Sequence, residues 1–179
     1  MRKAARSSQI PATSHTINGK IQMKRVGRFR FPVEELTADG DLVAQLGRDG
    51  SLRIFFGPGR RIRLADGTMW RIKATTRGRH ITPIIVSPAG KVAISGPLFA
   101  KRSYGINLKD RGYSLIPLGR TGLRRQRRWA LRRHEQDIAT IDDATRTVTT
   151  TEPVPAAAIL MAFTLMTHGI PGEGSLMPQ

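Results

Sequence analysis

The 179 residues contain no cysteine. Disulfides, thiolate nucleophiles, zinc ribbons and iron–sulfur clusters are therefore excluded, and a reducing compartment such as the cytoplasm is the expected setting. No stretch reaches the roughly 20 apolar residues that a membrane-crossing helix needs. The longest uncharged apolar run, Pro153 to Met166, falls short of it. Met1-Arg2-Lys3 resembles a basic leader, but the following Ala-Ala-Arg-Ser-Ser-Gln lacks the apolar region of a secretory signal. The acid-free, Arg- and Ser-containing first 30 residues also fit the composition of a transit peptide. Motifs for chemistry are scarce. There is no GxSxG elbow, and Phe55-Phe56-Gly57-Pro58-Gly59-Arg60-Arg61 lacks the spacing of a phosphate-binding loop and reads as a hairpin turn. His15, His80, His134 and His168 lie far apart with no acid at ligand spacing, so neither a metal site nor a cofactor is expected. Asp142-Asp143, followed by Ala-Thr, reads as a turn rather than a catalytic pair. A non-enzymatic role is favoured, although a triad assembled from distant residues stays open.

Charge is abundant and one-sided. Thirty Lys and Arg against thirteen Asp and Glu give a net charge of +17. Residues 1–30 carry eight cations and no acid, residues 50–100 are net +8 and residues 101–134 net +10. Residues 31–49 are net −4 and residues 135–179 net −5. Such a field attracts anions of every kind, whether nucleic acid, anionic membrane or acidic protein.

The length fits one domain with one core. Residues 1–14, small, polar and basic, read as a disordered lead-in, and residues 169–179, rich in Gly and Pro, as a loose tail. The domain is expected over 15–168. Within it, turn signals recur at short intervals: Asp39-Gly40, Asp49-Gly50, Gly57-Pro58-Gly59, Asp66-Gly67, Pro88-Ala89-Gly90 and Asp110-Arg111-Gly112. Asn18-Gly19 between Thr16-Ile17 and Lys20-Ile21 predicts a further hairpin. Between the turns, apolar residues alternate with a period of two. Ile62 and Leu64 alternate with Arg61 and Arg63; Trp70, Ile72 and Ala74 with Arg71 and Lys73; Trp129 and Leu131 with Arg128, Ala130 and Arg132. About ten strands result, each apolar on one face and largely cationic on the other.

The last element differs. After Pro153-Val154-Pro155 the run Ala156 to Met166 is helix-forming, with Pro155 suited to the first helical position and Gly169 and Pro171 beyond the end. Only Thr164 interrupts its apolar surface. A helix without a polar face must be covered all round. Burying ten such residues contributes on the order of 15–25 kcal/mol before entropy is subtracted, so a solvent-exposed helix is not a credible native state. The expected fold is mainly β, an antiparallel β-barrel enclosing a hydrophobic C-terminal helix near residues 155–168.

Short antiparallel strands followed by a wholly apolar C-terminal helix resemble the tubby-like superfamily, which includes the tubby proteins, the phospholipid scramblases and the LURP-one-related proteins. The likeness rests on the strands from Leu52 to Ile94, the pairing expected between Tyr104–Leu108 and Tyr113–Leu118, the strand around Arg128-Trp129-Ala130-Leu131, and the helix Ala156 to Met166. It implies a closed barrel around the helix and a link to lipids, through phosphoinositide headgroups in tubby proteins and phospholipid movement in scramblases. The cysteine- and proline-rich regions of scramblases are not present here.

Arg124, Arg125, Arg127, Arg128, Arg132 and Arg133 put six guanidinium groups within ten residues, around Trp129. Guanidinium forks match phosphate oxygens. With Lys101 and Arg102 they form the candidate anion-binding set, against the alternative of a merely solvated strand face. Arg60, Arg61, Arg63, Arg71, Lys73, Arg77 and Arg79 extend that set if their strands adjoin it. Arg2, Lys3, Arg6, Lys20, Lys24, Arg25, Arg28 and Arg30 are expected in a flexible basic arm, more as a solvated tail than as a binding element. An anionic phospholipid or membrane surface is the expected partner. A nucleic acid is the alternative, although two Trp, two Tyr and six Phe leave little aromatic interleaving. A scaffold for an acidic protein is the third reading.

Overall fold

A computed structural model describes residues 15–26, 33–48, 60–77, 80–97, 103–119 and 128–168. Two short strands, β1 (Thr16–Ile17) and β14 (Val154–Pro155), pair with each other. The other twelve run in chain order: β2 (Lys20–Val26), β3 (Val33–Ala38), β4 (Asp41–Arg48), β5 (Arg60–Leu64), β6 (Met69–Arg77), β7 (His80–Ser87), β8 (Gly90–Pro97), β9 (Tyr104–Leu108), β10 (Gly112–Pro117), β11 (Arg128–Arg133), β12 (Gln136–Asp142) and β13 (Thr147–Thr150). Each pairs antiparallel with the next, and β13 pairs with β2, so the sheet closes as an up-and-down barrel without free edges.

Period-two alternation makes the wall. Ile62, Leu64, Trp70 and Ile72 are buried while Arg61, Arg63, Arg71 and Lys73 are exposed. Ala130, expected outside, is fully buried. Its single methyl does not rise above Ile116 and Thr140, which flank it in register.

The interior is filled by α1 (Ala156–His168). Every residue from Ala156 to Met161 is 0% exposed, and none from Ala162 to Met166 exceeds 8%. At 1.5 Å per residue the helix runs about 20 Å, close to the length of a six-residue strand at about 3.4 Å per residue. The one polar side chain in its buried stretch is satisfied locally, Thr164 Oγ1 donating to the Leu160 carbonyl at 2.8 Å. The helix packs against β7, β8 and β9. Ala93 and Ser95 of β8 present little bulk there, whereas Ile21, Met23 and Leu36 occupy the opposite wall.

Pro155 closes β14 instead of opening the helix, because its register partner Thr16 holds it extended. Just beyond, the Ala156 amide donates to the His15 carbonyl at 2.7 Å, which satisfies one of the orphan donors at the helix start. His15 also meets Asp66 at 3.3 Å and the edge of Trp70, ring centroids 6.0 Å apart. The expected hairpin at Asn18-Gly19 is not formed. Thr16-Ile17 turns away from the barrel to pair with β14, while Lys20-Ile21 pairs with β13 and β3. Gly19, at φ +89°, makes the corner, and a β-carbon there would lie 2.2 Å from the Asp39 carboxylate. Lys20 and Lys24, assigned from composition to a flexible arm, are wall residues of β2 together with Arg25. Ile21 and Met23, both buried, anchor that strand.

Turns at the rim where the helix enters are tight. Asp39 and Gly40 both have positive φ, as a type I′ hairpin requires, and Asp66-Gly67, Pro88-Ala89 and Asp110-Arg111 also connect adjacent strands there. His134 and Glu135, at φ 47° and 68°, complete the β11–β12 turn in left-handed conformations without a glycine. Replacing them with Asn-Gly is expected to stabilise the fold by about 1 kcal/mol in chemical denaturation. A loss of stability would contradict the turn. The signals at Asp49-Gly50 and Gly57-Pro58-Gly59, the lead-in at 1–14 and the tail at 169–179 lie outside the described residues.

Candidate anion-binding surface

Because the helix fills the barrel, charged groups are offered on the outer wall. Strands β5 and β6 adjoin with Arg61 directly opposite Arg71 and Arg63 opposite Met69, while Lys73 follows two positions along β6. Arg61, Arg63, Arg71 and Lys73 are all exposed and share one face. Opposed like charges on neighbouring strands are unfavourable, by about 1 kcal/mol at contact distance in water. A bound anion relieves that repulsion.

The wall carries charge outside and a packed apolar helix inside. That is the reverse of a membrane-spanning barrel, which shows lipid an apolar band and keeps its polar groups within. No described helix is long and apolar enough to cross a membrane.

The arginine cluster is arranged differently. Strand β11 stands six places from β5 in the ring of twelve, so the two cationic regions lie on opposite sides of the barrel. Of the candidate set, Arg128, Arg132 and Arg133 are described, and each faces a carboxylate. Arg128 is the register partner of Asp142. Arg132 is hydrogen-bonded to Asp137, which raises the guanidinium pKa further. Arg133 Nη2 donates to Glu152 Oε2 at 3.1 Å. Asp142 also caps the β12–β13 turn, accepting from the amides of Ala144 at 2.9 Å and Thr145 at 3.1 Å. The Thr145 amide is the main cause that holds its carboxyl below the usual carboxylate range, with Arg128 a lesser one. Lys101, Arg102, Arg124, Arg125 and Arg127 lie outside the described residues, as does Arg79. The chain segments that carry Lys101, Arg102 and Arg124 to Arg127 join β8 to β9 and β10 to β11, and both leave from the rim opposite the helix entrance.

One further ion pair escaped the sequence reading. Arg146, at φ 55°, places Nη1 2.8 Å from Glu34 Oε1 and its guanidinium carbon 5.9 Å from the centre of the Phe163 ring. The lone cation in the acidic C-terminal quarter thus joins β3 to the helix from the β12–β13 turn at the barrel rim. Among the described residues no group of His, Asp and Glu is arranged to hold a metal ion.

Comparison with models of known protein families, with curated proteins and with solved structures finds no match.

Proposed function

We propose that this protein is a non-enzymatic anion-binding module of tubby-like architecture that attaches peripherally to anionic phospholipid surfaces, on the cytoplasmic side. The observation that carries the reading is the cationic wall Arg61, Arg63, Arg71 and Lys73, held in register by β5 and β6. Each cation near an anionic membrane contributes about 1 kcal/mol, so four favour anionic over neutral vesicles by nearly 1,000-fold at low salt. Segments 98–102 and 120–127, which lie outside the described residues, carry six cations and no acid. Lipid is favoured over nucleic acid by the resemblance, and among the described residues Trp70, Trp129 and Tyr113 are turned into the core, where they cannot stack on bases.

Co-sedimentation at low salt tests this. Wild type is expected to pellet with vesicles containing phosphatidylserine and not with phosphatidylcholine alone. Changing Arg61, Arg63, Arg71 and Lys73 to Gln should reduce recovery at least tenfold. Equal recovery on both vesicle types would sink the proposal. Salt-steep binding to DNA or RNA instead would favour the nucleic-acid reading, and capture of an acidic protein with no binding in either assay the scaffold.

A further inference from the structure

We infer that a recess on the outer wall of β2 and β3 is a phosphomonoester site, separate from the cationic wall and independent of the membrane reading. The recess, open to solvent on one side, measures about 250 Å³ and is lined by Lys20, Gln22, Lys24, Thr37, Asp39 and Gly40. At about 30 Å³ per water, that volume equals some eight water molecules. It leaves room for a phosphate bearing a few carbons. It lies three places round the ring of twelve strands from the β5–β6 pair, a quarter turn away.

Its chemistry comes from strand alternation. Lys20, Gln22 and Lys24 project outward because Ile21 and Met23 between them are buried. Three donor side chains therefore stand in a row, two ammonium groups flanking a carboxamide. Among the described residues none of the three side chains makes a hydrogen bond or ion pair. The acids nearby are already engaged. Glu35, the register partner of Lys24, accepts from Gln45 Nε2 at 2.9 Å. Asp39 Oδ1 accepts the Lys20 amide at 3.0 Å. The lining itself holds two ammonium groups and the Asp39 carboxylate, while Glu35, still charged, stands beside Lys24, so the excess of positive charge is confined to the Lys20 side of the recess. Lys20 and Lys24 both line the recess and are the donors it offers to phosphate oxygens, as point charges. The Gln22 amide and the second Asp39 oxygen are placed to bond hydroxyl groups on the carbon portion. Gly40, with no side chain, keeps one side open.

The ligand chemistry is a phosphate monoester, whether on a soluble polyol or on a phosphatidic acid headgroup. The test has two arms. In solution, inorganic phosphate and glycerol 3-phosphate are titrated against the full chain at constant ionic strength, with chloride as the control, following the amide resonances of Lys20, Gln22, Lys24, Thr37 and Asp39. On membranes, vesicles containing phosphatidic acid are compared with phosphatidylserine vesicles of equal charge. Saturable shifts at these amides are expected with phosphate and not with chloride. The double variant K20Q/K24Q should weaken binding at least tenfold while its thermal midpoint stays within a degree or two of wild type. Neutralising Arg61, Arg63, Arg71 and Lys73 should leave it unchanged. Binding in solution identifies a soluble monoester, and Lys20- and Lys24-dependent preference for phosphatidic acid identifies the lipid. No saturable response in either arm, or a response that K20Q/K24Q retains, overturns the assignment. Equal vesicle recovery with an intact phosphate response would reject only the membrane reading.

Discussion

Replacing Leu160 with Asp should abolish the cooperative unfolding transition. Leu160 is 0% exposed in the middle of α1, where a carboxylate would find no water and no partner. Leu160→Ala tests the same position more gently. Removing the isobutyl group from a site enclosed by a closed wall is expected to cost about 2–5 kcal/mol, at the upper end if the barrel cannot collapse onto the void. Leu160→Met, nearly equal in volume, should cost less than about 1.5 kcal/mol. Urea denaturation separates the three. A cost below about 1 kcal/mol for the alanine variant would mean that the helix does not fill the barrel.

Arg146 should produce the second large effect. Its side chain is 27% exposed and that of Glu34 14%, so truncation takes the guanidinium away from a carboxylate with limited access to water and leaves a gap over Phe163. Arg146→Ala is expected to cost about 2–4 kcal/mol, somewhat less than for a fully buried pair. The pair is not optimal, because Arg146 Nε and Nη2 are buried without a partner. Each unmet donor offsets part of what the ion pair contributes. The double variant E34Q/R146M, which removes both charges and keeps bulk over Phe163, should therefore fall within about 1 kcal/mol of wild type. If the double variant were as unstable as Arg146→Ala, loss of charge compensation at Glu34 would not be the cause.

Much of the barrel was readable from the sequence because burial imposes a period that residues display openly. Ile62, Leu64, Trp70 and Ile72 against Arg61, Arg63, Arg71 and Lys73 gave both the strand and its outward face. The uniform apolarity of Ala156 to Met166 required enclosure, which a closed wall meets. Other features depend on register or on contacts between distant residues. Asn18-Gly19 carries a hairpin signal, yet β14, more than 130 positions away, competes for Thr16-Ile17 and wins. Lys20 and Lys24 read as part of a solvated arm on net charge, although Ile21 and Met23 between them carry the period of two. The turn at His134-Glu135 has no glycine to announce it. The opposition of Arg61 and Arg71 follows from the β5–β6 register, which no local pattern reveals. That β5 and β11 lie on opposite sides of the barrel follows from counting strands, which becomes possible only once all twelve are placed.

The placement of function on the outside depends on the interior being closed, and amide hydrogen exchange tests that most directly. The amides of Leu160 to Phe163, hydrogen-bonded within the helix and shielded by the wall, should exchange only through global unfolding. Their opening free energy should equal the stability from denaturation and match that of the slowest wall amides. Exchange of these helix amides through a lower-energy opening, with the strands still protected, would show that the helix leaves the barrel and that the interior is available to ligands.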